Sequence, residues 1–130
     1  MAMDPSDAGA GPTLGTRFRL FPQSPATPGY SKPETVWISA APDTILPGPQ
    51  NDRMYVVEPL THKEPYAYPY LPPYNGPKAP PIEPGPDRHW DHLEPNDPGF
   101  VAVHLFGCIA RVMDVMESYI GHRVPWHFAD

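Results

Sequence analysis

Hydrophobic and polar positions follow two different periods along this chain, that of a strand and that of a helix, and each predicts elements. At residues 16–21, Phe18 and Leu20 alternate with Arg17, Arg19 and Phe21, which suits a strand that adds to a sheet edge. Residues 35–40 (TVWISA) and 54–57 (MYVV) are β-branched and aromatic, and the stretch between them is rich in turn residues. This pattern predicts a β-hairpin over residues 35–57. Two strands alone are marginal, because nothing covers their apolar face.

From residue 98 the period lengthens to that of a helix. Val101, Leu105, Cys108, Val112, Val115 and Tyr119 form a stripe at spacings of four and three. Ala102, Ile109, Met116 and Ile120 widen it, and Val103, Phe106, Ala110 and Met113 extend it further. A helix over residues 98–120 follows, with Asp97 as N-cap, Pro98 at the first position and Gly121 as the stop. Its polar face is narrow: His104, Gly107, Arg111, Asp114 and Ser118, with Glu117 beside it. A helix apolar over more than half its circumference is normally buried on most sides. Leaving four such side chains in water forfeits about 6–12 kcal/mol.

Composition sharpens this picture. Among 130 residues there are 22 Pro and 10 Gly, about a quarter of the chain, which makes irregular backbone the default. Eleven of the prolines fall in residues 61–98, together with Tyr66, Tyr68, Tyr70 and Tyr74, and predict a polyproline-II-like arm with turns. The chain therefore divides into a flexible leader (1–33), a hairpin region (34–60), a Pro/Tyr-rich arm (61–97) and a helix with an aromatic tail (98–130). The fold class is mostly irregular and proline-rich, with one long helix and a hairpin, and not an independent globular fold. The arm offers few partners for so wide a helix face, so the helix is expected to need another protein surface. The expected interaction residues are Val101, Leu105, Phe106, Ile109, Val112, Met116 and Tyr119 on the helix, Tyr70, Leu71 and Tyr74 in the arm, and Trp126 in the tail.

Charge removes several functions. With nine basic and 15 acidic residues the net charge is −6, and no basic stripe is available to neutralise phosphates, so nucleic acid is not an expected partner. No apolar run approaches the roughly 18–20 residues of a membrane span. The acidic start lacks the basic and apolar regions of a secretory signal, which leaves a cytoplasmic location as the default. One cysteine cannot form an internal disulfide.

Candidate chemistry is sparse. His89 and His92, with Asp91 and Glu94 adjacent, match an HxxH pattern that suits zinc, although two imidazoles in a loop also fit a solvated polar turn. His104 and Cys108 are helix neighbours, but on the apolar stripe Cys108 behaves as a small hydrophobe rather than a nucleophile. Arg111, Asp114 and Ser118 read as a solvated stripe or as a polar contact to a partner. PxxP matches occur at 69–72, 77–80 and 81–84, and LPPY at 71–74; these suit an aromatic groove or an arm laid across its own protein. HExxH, CxxC, phosphate-loop and nucleophile-elbow motifs are missing from the sequence.

PGFVAVHLF at 98–106, its continuation to ESYIG at 117–121, and VPWHF at 124–128 resemble one known context. They are similar to the long helix ending in Gly that precedes the catalytic region of thermolysin-like and fungalysin-like zinc peptidases and their bacterial relatives. The similarity spans about 30 residues and lacks HExxH and the downstream carboxylate ligand, so no catalytic or metal-binding role carries over. What the resemblance implies is an upstream packing segment. The expected function is thus a non-catalytic structural or interaction segment whose arm and helix pack into a larger protein or assembly. The alternatives are the N-terminal part of a truncated zinc-peptidase-like protein, inactive alone, and a small His-based metal module.

Overall fold

A computed structural model describes residues 15–58 and 76–126. Their elements are strand β1 (Thr16–Leu20), strand β2 (Glu34–Ile38), one turn of 3-10 helix (Pro42–Thr44) and helix α1 (Phe100–Ile120). The remainder is turns and extended backbone, so the fold class read from the sequence holds: one C-terminal helix, an antiparallel hairpin and much irregular structure.

The hairpin is built differently from the expectation. β2 lies where a strand was anticipated, but its partner is β1, with Phe18 opposite Val36 and Thr16 opposite Ile38. Residues 54–57 contribute only an isolated bridge between Gln50 and Tyr55. The physical reason is the alternation in β1. Thr16, Phe18 and Leu20 are buried on one face while Arg17 and Arg19 point the other way. Residues 16–33 therefore belong to the core and its connecting loop, not to a leader.

The proline-rich stretch also packs on its own protein. Trp90 bridges in parallel to Phe18, and its N–H donates to the Arg17 carbonyl at 2.9 Å, so residues 89–91 line the second edge of β1. The PIEP motif is held too, since the Gly48 N–H donates to the Ile82 carbonyl at 2.8 Å.

α1 lies across the apolar face of the hairpin. Phe18, Leu20, Ile38, Ile45, Trp90, Val103, Phe106 and Ala110 form the core. Phe18 stacks on Phe106 at 6.0 Å and on Trp90 at 6.3 Å between ring centroids. Helix and sheet are tightly packed at Gly107, where an added β-carbon would lie 2.7 Å from Phe18 Cδ2.

The helix starts two residues later than the sequence suggests. Gly99 is the N-cap with φ 88°, and the Asp97 carboxylate accepts the Glu94 N–H at 2.8 Å instead of capping α1. Asp97 thus closes the preceding turn, and Gly99 takes the left-handed conformation that lets the chain enter the helix beside Ile82. At the other end Gly121 has φ 92° and its N–H donates to the Glu117 carbonyl at 2.8 Å, the expected stop. Among the described residues no helix is long and apolar enough to cross a membrane.

Candidate interaction face

The two sides of α1 have different fates. Phe100, Ala102, Val103, Phe106, Gly107, Ala110 and Met113 are buried against the chain's own core. Phe106, expected as an interaction residue, is fully buried; its ring completes the aromatic stack and is not available to a partner. On the outer side, Val101, Leu105, Ile109, Val112, Val115, Met116, Tyr119 and Ile120 are between 37% and 87% exposed. The helical members of the expected set other than Phe106 thus fall together on one exposed apolar face. Tyr70, Leu71 and Tyr74 lie outside the described residues.

Three polar residues of α1, His104, Asp114 and Glu117, flank its buried side. His104 Nε2 accepts the Phe21 N–H at 3.1 Å. The Asp114 carboxylate accepts the Ser39 N–H at 2.7 Å and its hydroxyl at 2.6 Å. Glu117 takes two N–H bonds from the Arg53 guanidinium, at 3.0 and 2.9 Å, and the Val124 N–H at 2.6 Å. The bonds from Arg53 and Val124 hold the Glu117 carboxyl below its ordinary value. The solvated stripe expected for Arg111, Asp114 and Ser118 is accordingly corrected for Asp114. Gly107 sits among them without a side chain, so this side is where the sheet can approach. Arg111 is exposed and Ser118 bonds back to the Val115 carbonyl at 2.7 Å.

The tail borders the outer face. Arg53 also donates to the Val124 carbonyl, and Trp126 Nε1–H donates to the Arg53 carbonyl at 2.8 Å. Trp126 is thereby placed beside Ile109 and Met116, walling an apolar concavity of about 380 Å³. A more polar concavity of about 580 Å³ lies across residues 39–41, 51–54 and the inner flank of α1. Its charges already have partners: Arg53 with Glu117, and Arg123 with Asp52 at 2.9 Å.

The His89 and His92 pair is not gathered into a ligand set. His89 is buried, and its Nδ1 accepts the Arg17 N–H at 3.0 Å. His92 is exposed beside the Trp90 ring at 6.4 Å. Arg17 engages Asp91 and Asp87, each at 2.7 Å. The guanidinium is raised chiefly by its bond to Asp91, while Asp87 is lowered chiefly by the His89 N–H it accepts. Among the described residues no group of three or more His, Cys, Asp or Glu side chains is placed to hold a metal ion.

His104 and Cys108 do meet, with Sγ 3.6 Å from Nδ1. Burial pushes the imidazole down and the thiol up, so both neutral forms are favoured, the opposite of an activated thiolate. Nε2 already accepts from Phe21, which fixes the imidazole as a structural acceptor.

The sequence marked residues 16–21 as a strand that adds to a sheet edge, but neither its pairing with β2 nor the inward polar flank was read from it. A mid-helix glycine among polar neighbours was the available signal for a close sheet contact. Comparison with known proteins finds no matching family, no matching curated protein and no matching solved structure.

Proposed function

We propose that this chain is a non-catalytic interaction module, which uses its small core to hold α1 in place and presents the outer helix face to a protein partner. The observation that carries this is the cluster of eight large, exposed apolar side chains on one side of one helix. Isolated apolar residues on a surface need no explanation, but a contiguous stripe of this kind marks a docking surface. The titratable groups support the same reading. Those on the inner side of α1 serve as structural hydrogen-bond acceptors, and the one helix thiol is held protonated by burial. The similarity of residues 98–128 to a peptidase packing segment is compatible with it, since such a segment also offers a helix to a neighbouring surface.

The test is the double variant Leu105→Glu/Val112→Glu, read by circular dichroism, denaturation in dilute solution and retention on a hydrophobic-interaction matrix. Both side chains point away from the core, so the helix signal should persist and the unfolding free energy should stay within about 0.5 kcal/mol of the parent. Retention should fall sharply. Loss of the folded helix in this variant would remove the proposal, because it would make these positions part of the protein's own interior.

A further inference from the structure

The outer edge of β2 is an open row of main-chain groups, and the pairing with β1 says which residues form it. In an antiparallel pair, residues that exchange bonds with the partner strand alternate with residues whose N–H and C=O point away from it. On β1, Arg17 points away: its N–H donates to His89 Nδ1 at 3.0 Å and its carbonyl accepts the Trp90 N–H at 2.9 Å. Arg17 lies opposite Trp37, and Arg19 lies opposite Thr35. Trp37 and Thr35 therefore aim their own N–H and C=O groups away from β1. At one end of this row the Ser39 N–H donates to the Asp114 carboxylate at 2.7 Å, and at the other Pro33 has no N–H to offer. Among the described residues no strand or bridge pairs with the edge between them.

A helix stands beside this row. An open groove of about 550 Å³ runs between Thr35, Val36 and Trp37 on one side and Cys108 and Arg111 of α1 on the other. Asp114, one turn further along α1, already meets Ser39 where a neighbouring strand would put a carbonyl. Two donors and two acceptors at the strand repeat of about 3.3 Å per residue are matched by another extended main chain, which is how a peptide adds to a sheet edge. Its alternate side chains would turn onto the apolar wall formed by Val36 and Cys108. Arg111 is the one charged residue lining the groove, and it has no ion pair among the described residues. An acidic side chain on the incoming strand complements it.

We infer that this groove binds an extended peptide segment of a partner protein by strand addition to β2, with aliphatic side chains turned toward α1 and an acidic residue toward Arg111. The main-chain row of β2 carries this site, not the outer helix face, so the two surfaces are tested separately.

The test is an NMR titration of the isotope-labelled full chain with a short capped synthetic peptide, in which valine alternates with threonine and a glutamate stands at one end. Saturable shifts and slowed hydrogen exchange are expected at the Thr35 and Trp37 amides. Thr35→Pro removes an outward N–H that β1 does not use, which an edge position tolerates, and should weaken binding roughly tenfold with the helix signal retained. N-methylation of alternate peptide residues should weaken binding as much without touching the protein, which keeps the test decisive if Thr35→Pro does not fold. A peptide with lysine in place of glutamate should bind more weakly. No saturable binding up to about 2 mM peptide, binding that leaves the two amides unprotected, or undiminished affinity of the N-methylated or lysine peptide overturns the inference. Protection of the same amides that rises with protein concentration alone, without peptide binding, makes a second copy the occupant and likewise overturns it.

Discussion

Gly107 limits how closely helix and hairpin can approach. A β-carbon there would lie 2.7 Å from Phe18 Cδ2, 2.8 Å from Leu20 Cδ2 and 3.1 Å from Phe18 Cγ. Both neighbours are buried and have nowhere to swing. Gly107→Ala should therefore lower stability by about 1–2 kcal/mol by overpacking, despite the intrinsic helix preference for Ala; a urea midpoint reads this. Trp90 makes a second prediction. Its ring is buried while its Nε1–H has no acceptor among the described residues. Trp90→Phe removes an unsatisfied donor along with some packing and should cost under about 1 kcal/mol, whereas Trp90→Ala should cost about 3–5 kcal/mol. His104 gives a pH signature. Burial lowers its folded-state value below 6.5, so the unfolded chain binds the proton more readily. The stabilisation is complete above that unfolded value and is lost as pH falls through the depressed folded one. His104→Gln, which keeps an acceptor for the Phe21 N–H, should flatten this part of a stability–pH curve.

Each element depends on groups supplied from elsewhere in the chain. The C-terminal tail is tied to α1 by Arg53, which reaches Glu117 and Val124 together and offers its own carbonyl to Trp126. Arg53→Met removes the side-chain bonds to Glu117 and Val124 but leaves the carbonyl that Trp126 uses, so it should raise the Glu117 carboxyl toward its ordinary value with little change in helix content, as an NMR titration would read. The Glu117 carboxyl, held low mainly by Arg53, stabilises the fold above its ordinary value of 4.5 and loses that effect as pH falls through its depressed folded-state value. The same dependence explains what the sequence could reveal. α1 was legible because its period is local and Gly121 stops it at an open position. The outer stripe was legible for the same reason. The partner of β2 was not, since MYVV at 54–57 has strand-like residues as good as those of β1. What decides between them is Phe18 and Leu20 reaching Gly107, a contact encoded by no local pattern. The inward turn of Asp114 was hidden likewise, because its acceptor role depends on Ser39, 75 residues away.

At the scale of the whole molecule, a small core is closed by its two ends. Phe18 and Leu20 from one end and Val103 and Phe106 from the other supply much of it. Deleting residues 1–33 would thus remove β1 and uncover the inner side of α1. The expected result is loss of cooperative unfolding and of most helical ellipticity, not the neutral outcome of trimming a tail. The outer face imposes no such requirement on the fold, so substitutions there should leave cooperative unfolding in place.

The bond between Phe21 and His104 joins positions 83 residues apart. During synthesis at about 5–20 residues per second, the first strand therefore waits roughly 4–17 s for the side chain that caps its end. Throughout that interval its aromatic ring has no mate from the helix, and the nascent polypeptide is at its most vulnerable to clumping. Slowing translation before codon 100 would lengthen the exposure and lower the yield of soluble product, whereas supplying a holdase chaperone would restore it.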